Sequence, residues 1–211
     1  MFFLAFEGLD GSGKSTLIDQ VQSYLNQNNI QFIKTREPGG TSIGDKLRNL
    51  ILAKEVEVPT PRAELLLYEA IRAQHVDLVI KPALKNKQWV LCDRFTASSI
   101  AFQAGGRQIS EDQVHWLNDF ATNSLKPDLN ILLDLSVEES QKRRQKRESE
   151  IDEPEDRIES ESQAFHQRVR EGFLKQVVIN PQEWLVLNAS LTSQEIYFTL
   201  INELKGRKWL V

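Results

Sequence analysis

A glycine-rich stretch near the start of the chain has the residue types and the spacing of a phosphate-binding loop. Residues 8–15 read GLDGSGKS, which fits the pattern G-x-x-x-x-G-K-[ST]. Glycines let backbone N–H groups surround a phosphate at a helix N-terminus, while the lysine reaches the β- and γ-phosphates and the serine ligates Mg²⁺. The stretch predicts a nucleoside triphosphate bound with Mg²⁺. The residues expected to bind it are Gly8, Asp10, Gly11, Ser12, Gly13, Lys14, Ser15 and Thr16.

The loop alone leaves open a molecular switch, a motor and a small-molecule kinase. The guanine-reading pattern N/T-K-x-D of GTPases is not found after the fourth strand candidate, where Asp134 is followed by Leu-Ser. A motor would usually be a larger protein than 211 residues. These two observations favour a small-molecule kinase.

Arginines follow other strand candidates and indicate an anionic acceptor. Arg36 lies in TREPGGT and Arg94 in DRF, with Arg48 and Arg72 on the helices beyond. Each alone is compatible with an ordinary surface cation, but their shared placement favours phosphate, which guanidinium groups bind in a bidentate manner. A phosphomonoester, with a second pKa of about 6, needs charge neutralisation rather than a base. This favours a nucleoside monophosphate kinase over a nucleoside kinase.

The hydrophobic pattern predicts the elements that carry these residues. Short apolar runs at 2–6, 31–35, 89–92, 129–135 and 183–188 predict strands, and helical patterns lie at 15–28, 61–80 and 110–122. Two further helices are expected to start at Ser136, which has Glu139 three residues on, and at Ser193. We expect loops at 56–61 and 151–156. The alternation predicts one domain, 1–211, built on a mainly parallel sheet with its ligands at the carboxyl ends of the strands.

Composition limits the class of protein. The net charge is −4, which argues against general binding of nucleic acids or membranes. Neither a membrane-spanning run nor a signal peptide is recognisable, and the single cysteine, Cys92, suits a reducing cytoplasm. The three histidines are scattered, and we interpret them as structural. We also expect Cys92, Trp89 and Trp184 to be buried.

Several motifs in order resemble the thymidylate kinase family of ATP:dTMP phosphotransferases. They are EGLDGSGKST (7–16), REPGGT (36–41), IGDKLRNLIL (43–52), LLYEAIRAQHV (66–76), DRFTASSIAFQ (93–103), PDLNILLDL (127–135) and DRIE (156–159). The resemblance implies direct in-line transfer from Mg-ATP to dTMP, a step in dTTP synthesis. It also implies a five-stranded parallel sheet wrapped by helices, the nucleoside monophosphate kinase architecture, and a homodimer. A related kinase with another nucleotide or a deoxynucleoside as acceptor remains the alternative.

The resemblance also implies roles for individual residues. In the phosphate part of the site, Asp10 resembles the acid that holds the sugar 3′-OH, and Asp93 the acid that orders Mg²⁺ through water beside Ser15. Arg36 and Arg94 resemble the arginines on the acceptor phosphate. The remaining dTMP-binding positions are Glu37 and Pro38 (often a cis proline), Arg48 on the base side, Tyr68 stacking on thymine, Arg72 reading the base, and Ser99, Phe102 and Gln103.

The sequence departs from the family pattern at three places. Tyr68 replaces the usual phenylalanine and has a hydroxyl that needs a partner, and Phe102 replaces a tyrosine tied to rejection of the 2′-OH. Residues 188–190 read NAS where Asp-Ala is frequent near adenine. Outside the site, Asp134 fits either a second metal acid or a structural residue. The apolar face around Trp116 on the helix at 110–122 fits either the core or a dimer contact, and the resemblance favours the dimer contact because the family dimerises through helices.

The basic run KRRQKR at 142–147 matches the lid of the family, which covers bound ATP. By itself such a run fits a solvated helix face, a nucleic-acid patch or a clamp on an anion. The phosphate loop contains no arginine, so the chain resembles the bacterial, lid-arginine branch, with a lid at about 142–158 and catalytic candidates Arg143 and Arg147 beside Lys14, Asp10 and Arg94. We expect Lys142, Arg144 and Lys146 to be solvated or paired with the acids that follow, and Gln145 to replace a further arginine. Arg157 is expected to pair with a nearby acid and hinge the lid.

Overall fold

A five-stranded parallel sheet forms the centre of the molecule. The computed structural model describes residues 1–55, 57–151 and 155–210. The strands are β1 (Phe3–Glu7), β2 (Phe32–Arg36), β3 (Trp89–Asp93), β4 (Leu129–Asp134) and β5 (Trp184–Asn188), in the order β2-β3-β1-β4-β5. All four pairings are parallel. Each predicted strand is present, and no boundary differs from the prediction by more than one residue.

Apolar residues on both faces of the central strand explain its position. Leu4 and Phe6 belong to one cluster of buried side chains, whereas Phe3 and Ala5 belong to another on the opposite face. This alternation follows from the two-residue period of a strand, and continuous apolar character is typical of a strand covered on both sides. The predicted burial of Cys92, Trp89 and Trp184 is confirmed.

Helices cover both faces of the sheet. Their bounds are α1 (Lys14–Gln27), α2 (Ser42–Leu52), α3 (Pro61–His75), α4 (Lys81–Lys85), α5 (Thr96–Ser99), α6 (Glu111–Thr122), α7 (Val137–Ile151), α8 (Gln163–Ile179) and α9 (Ser193–Gly206). Two π-helical segments, Val76–Ile80 and Ile100–Gly106, extend α3 and α5, and a 3₁₀ turn spans Pro181–Glu183. The helix predicted over 61–80 is therefore α3 with its π-helical extension. Within the described ranges, none of the helices combines the length and apolar character that crossing a bilayer requires.

Two predicted helix starts need refinement. The cap of α9 is Thr192, which forms a reciprocal capping box with Glu195, so Ser193 is the first helical residue rather than the cap. At α7, Ser136 Oγ accepts from the N–H of Glu139 at 3.2 Å. The Glu139 carboxylate accepts from Arg143 instead, because a charged partner is available one turn on. Of the predicted loops, residue 56 and residues 152–154 lie outside the described residues, and residue 61 begins α3.

Candidate active site

The glycine-rich loop, residues 8–15, follows β1 and leads into α1 and is called the P-loop below. Gly8 has a φ of 134°, and a Cβ there would lie 2.6 Å from the carbonyl oxygen of Leu133, so only glycine fits. Gly13, in the left-handed region, caps α1. Lys14 is buried and its Nζ donates to the carbonyl oxygens of Gly8 and Leu9 at 3.2 and 3.0 Å. Burial and the nearby charge of Arg94 lower the pKa of Lys14.

An ion pair joins the P-loop to the end of β3. Arg94 Nη2 donates to Asp10 Oδ1 at 2.7 Å, and the Arg94 guanidinium lies 4.9 Å from the centre of the Phe102 ring. Burial opposes ionisation of Asp10, but the charges of Arg94 and Lys14 outweigh it and hold the pKa of this carboxyl below its usual range. Asp10 therefore remains an anion beside the phosphate site.

A buried carboxylate that the sequence reasoning missed holds the Arg94 loop. Arg94 has a φ of 68°, in the left-handed region. Glu7 at the end of β1 accepts from the N–H of Phe95 at 2.8 Å and from Ser98 Oγ at 2.6 Å, and Ser98 Oγ accepts from Arg94 Nη1 at 3.3 Å. Burial raises the pKa of Glu7 to about 7. Glu7 immediately precedes the P-loop, and this position next to the motif is the feature of the sequence that could have indicated a role for it.

A cavity beside the P-loop brings most of the predicted dTMP-binding residues together. The predicted residues that line it are Asp10, Glu37, Pro38, Arg48, Tyr68, Arg72, Arg94, Ser99, Phe102 and Gln103. Four more lining residues were not predicted: Leu52, Ser98, Asp156 and Ile158. We call this the acceptor pocket. Burial and the neighbouring Glu64 raise the pKa of Tyr68, so its hydroxyl stays protonated.

The β2 loop shapes one end of the acceptor pocket. The Glu37–Pro38 peptide bond is cis, as the family resemblance implies. Arg48 Nη1 donates to the carbonyl oxygen of Pro38 at 2.9 Å. Glu37 is buried and lies 2.9 Å from His75 Nδ1, and His75 Nε2 lies 2.6 Å from Thr35 Oγ1. The buried His75 thus joins the loop to α3, which agrees with a structural histidine.

Arg72 has most of its donors occupied by the protein itself. It is 2% exposed, and its Nε donates to Glu37 at 2.8 Å and its Nη2 to the carbonyl oxygen of Phe95 at 3.0 Å. Its Nη1 faces Glu69, Ser99 and Asn118 at 2.6–2.7 Å. A guanidinium has five N–H groups. Within the described chain one N–H on Nη2 is left for the pocket, and the Ser99 hydroxyl is likewise engaged, by Glu69.

A second, polar cleft lies over the P-loop. Its walls include most of the remaining predicted residues: Gly11, Gly13, Lys14, Ser15 and Thr16 of the loop and helix, Arg36, Asp93, Arg143 and Arg147. Gly8 and Ser12, which were also predicted to bind the nucleotide, line neither this cleft nor the acceptor pocket. Ser15 and Asp93 could hold a Mg²⁺ ion here. Asp93 Oδ1 is buried and has no hydrogen-bond partner among the described residues. A buried carboxylate oxygen without a donor fits a cation or its water shell.

Two arginines of α7 point into this cleft, as the lid hypothesis requires. Arg143 and Arg147 are four residues apart and so share one helix face. Arg143 Nε donates to Glu139 at 3.1 Å, and Arg147 Nη2 donates to Glu159 at 2.6 Å. Both side chains are partly exposed. Glu139 and Glu159 thus help to hold the two guanidinium groups at the wall of the phosphate cleft.

The other cations of the basic run differ from one another. Arg144 is buried, donates to the carbonyl oxygen of Glu159 and lies 3.5 Å from Glu155. The expected pairing with a following acid is confirmed for Arg144, which is buried and not solvated because α7 turns this residue inward. Lys146 is 74% exposed and lies 3.7 Å from Glu150, as expected. Lys142 is exposed.

Two further pairs fix the surroundings of the lid. Arg157 Nη2 donates to Glu64 of α3 at 2.6 Å and its Nε to the carbonyl oxygen of Ile51 at 2.8 Å, so its expected acid partner is on a distant helix. Asp134 at the end of β4 receives both Nε and Nη2 of Arg170 at 2.7 and 2.9 Å. This bidentate pair favours the structural interpretation of Asp134.

The fold and the site together define a P-loop phosphotransferase with an anionic acceptor, the nucleoside monophosphate kinase class. Comparison with known proteins narrows this class. The family model described as Thymidylate kinase matches residues 6–198. The chain belongs to the thymidylate kinase family.

Individual relatives agree over nearly the full length. The chain is 57% identical over 210 residues to a thymidylate kinase of Bdellovibrio bacteriovorus, covering 100% of this chain and 98% of the relative. It is 42% identical to one of Lactobacillus acidophilus, covering 98% and 94%. The crystal structure of thymidylate kinase from Ehrlichia chaffeensis superposes with a TM-score of 0.76 at 30% identity, covering 97% of this chain and 98% of that one.

Proposed function

We propose that this protein transfers the γ-phosphoryl group of ATP directly to the 5′-phosphate of dTMP, forming ADP and dTDP. One observation supports this most strongly. The acceptor pocket and the P-loop cleft adjoin and share Asp10, Glu37, Arg48 and Arg94 as walls. A nucleotide in the pocket would thus place its phosphate at the P-loop, the arrangement that in-line transfer requires.

Each group then has a defined task. Lys14 contacts the β- and γ-phosphates, and Arg143 and Arg147 neutralise charge on the phosphoryl group in transit. Arg36 and Arg94 hold the acceptor phosphate, and Asp10 accepts a hydrogen bond from the sugar 3′-OH. No base is needed, because the acceptor oxygen is already ionised near neutral pH.

The base and sugar would occupy the inner end of the pocket. Tyr68 stacks on the thymine ring, with Arg48 on the same side and Phe102 next to the sugar. Arg72 offers its remaining N–H to the base, and Ser99 supports Arg72 rather than contacting the base directly. When bound, Mg²⁺ supplies charge neutralisation between the phosphates, with Ser15 and Asp93 as the residues that would hold it.

We also propose a homodimer that uses α6. Trp116 and Phe120 are 66% and 75% exposed, and their rings stack with centres 5.9 Å apart. Two large aromatic side chains exposed together favour a protein interface.

We further propose one domain over 1–211 with a lid at about 142–158. We also propose a cytoplasmic location, which the buried free thiol of Cys92 supports.

The test is steady-state phosphoryl transfer with dTMP, dUMP, thymidine and the ribonucleotides as acceptors. We expect dTMP to give the highest kcat/KM, and Lys14→Ala to lower kcat by about 10²-fold or more. No turnover of dTMP from micromolar to millimolar concentration would reject the function and favour a kinase with another acceptor. A nucleic-acid-binding role would instead give a DNA affinity that falls steeply with salt. The burial of Arg144 and the positions of Arg143 and Arg147 at the wall of the phosphate cleft argue against that role.

A further inference from the structure

A buried carboxylate on α3 lies next to the acceptor pocket without lining it. Glu64 is fully buried and accepts four hydrogen bonds. Its Oε1 accepts from Gln103 Nε2 and Arg107 Nε, both at 3.1 Å. Its Oε2 accepts from Arg107 Nη2 at 3.0 Å and from Arg157 Nη2 at 2.6 Å. Four donors, three of them from two arginines, fill its lone-pair sites.

The saturated carboxylate fixes the orientation of one pocket side chain. A carboxylate only accepts hydrogen bonds, so Gln103 must turn its Nε2 towards Glu64. The reversed amide would place two oxygens against each other in a buried site. Gln103 Oε1 has no hydrogen-bond partner in the described part of the chain. Gln103 lines the acceptor pocket, so its oxygen is the atom it can offer to a bound base.

We propose that Glu64 is a positioning residue. It fixes the orientation of the Gln103 amide, with the oxygen towards the pocket, and thereby selects the base. A carbonyl oxygen in the pocket accepts from a pyrimidine with hydrogen on N3, as in thymine and uracil. It repels cytosine, which has a lone pair at N3. The inference rests on the proposed function, since it assumes that the pocket receives a pyrimidine nucleotide.

The spacing on α3 supports a common role for its inner face. Glu64, Tyr68 and Arg72 are four residues apart in succession and therefore lie one above another on the same face. Tyr68 and Arg72 line the pocket, and Glu64 acts one turn earlier through Gln103. Arg157 extends the contact to the end of the lid, the segment that also places Asp156 in the pocket wall.

The experiment compares kcat/KM for dUMP and dCMP, which both lack the 5-methyl group, in the wild type and in Glu64→Gln. A glutamine at position 64 can donate as well as accept, so the Gln103 amide is free to reverse. We expect the dUMP-to-dCMP ratio to fall roughly tenfold or more, as for the loss of one buried hydrogen bond. Glu161→Gln is the matched control, because Glu161 contacts Arg107 at the outer end of the same network and does not contact Gln103. It should leave the ratio unchanged.

The combined effect of two substitutions on the dUMP-to-dCMP ratio shows whether Glu64 acts through Gln103. Gln103→Ala should lower the same ratio in the wild type and change it little further in Glu64→Gln, since both remove one interaction. A ratio that is unmoved in Glu64→Gln, or that moves as much in Glu161→Gln, would overturn the proposal. The same assay measures dTMP turnover by the wild type. Its absence would reject the proposed function, whereas normal turnover with an unmoved ratio rejects only the role of Glu64.

A measurement on the wild type covers the case that Glu64→Gln does not fold. The side-chain amide protons of Gln103 can be assigned by NMR from their loss in Gln103→Ala. We expect slow exchange with solvent both before and after dUMP is added, because the Glu64 carboxylate holds the amide throughout. Exchange that slows only when dUMP binds would show that the amide nitrogen faces the pocket, and the proposal would be wrong.

Discussion

Replacement of Arg72 by alanine tests whether this residue contributes mainly to the stability of the fold or mainly to nucleotide binding. The guanidinium is buried against the carboxylates of Glu37 and Glu69, which are themselves buried. It also donates to Ser99 and Asn118, so it joins α3 to the loop after β2, to α5 and to α6. Burial opposes its charge, but Glu37 and Glu69 outweigh burial and raise the pKa of Arg72. Arg72→Ala would leave two acids in the interior without their shared cation.

The magnitude follows from that geometry. Removal of one partner from a buried ion pair costs about 3–5 kcal/mol of unfolding free energy, because the remaining charge is left uncompensated. For a chain of this size each kcal/mol lowers Tm by about 2–4 °C, so Arg72→Ala should melt roughly 6–20 °C below the wild type. This loss is a large part of the stability of a typical domain.

Urea and thermal unfolding of the two proteins, each with and without dTMP, provide the assay. Arg207→Ala is the matched control, because it removes an arginine whose 2.7 Å pair with Glu203 is partly exposed on α9. Its unfolding free energy should change by only about 0.5 kcal/mol. If Arg72→Ala were as stable as this control while dTMP binding was lost, the guanidinium would be serving the nucleotide, and the structural argument would fail.

Two further predictions concern catalysis and pH. Arg147→Ala should lower kcat by about 10²-fold with a smaller change in KM, because it removes the donor that we propose for the transferring phosphate. An equal loss of kcat in Lys146→Ala would favour an unspecific charge effect. Burial raises the pKa of Glu7 from 4.5 to about 7, so the folded protein retains this proton longer than the unfolded chain. Its contribution to stability is therefore present below pH 4.5 and is lost as the pH rises to 7. Relative to Glu7→Gln, the unfolding free energy of the wild type should fall by about 3 kcal/mol between pH 4 and 8 in urea titrations. A difference that is flat with pH would contradict this.

The parts of the molecule that depend on local pattern could be predicted from the sequence. The P-loop needs its residues at consecutive positions, and strand ends are marked by the change from apolar to polar residues. That Arg143 and Arg147 lie on the same face of α7 follows from helix geometry alone. Parallel topology then brings these separate segments to one edge of the sheet.

Buried charged residues could not be predicted in the same way. A glutamate at position 64 looks like a solvated helix residue until Arg107 and Arg157, which are distant in the chain, are seen to contact it. Arg144 could not be told from its neighbours in the basic run, because its burial depends on Glu155 and on the carbonyl of Glu159. Such positions are decided by tertiary partners, which leave no periodic signal in the sequence.

The central position of β1 has a consequence for how the chain is made. β1 is translated before both of its neighbours, since β3 begins at Trp89 and β4 at Leu129. At about 5–20 residues per second, a ribosome needs roughly 4–17 seconds to reach β3 and longer to reach β4. Throughout that interval the apolar β1 has no neighbouring strand on either edge. The nascent chain is therefore exposed to aggregation or chaperone binding at the strand that leads into the P-loop.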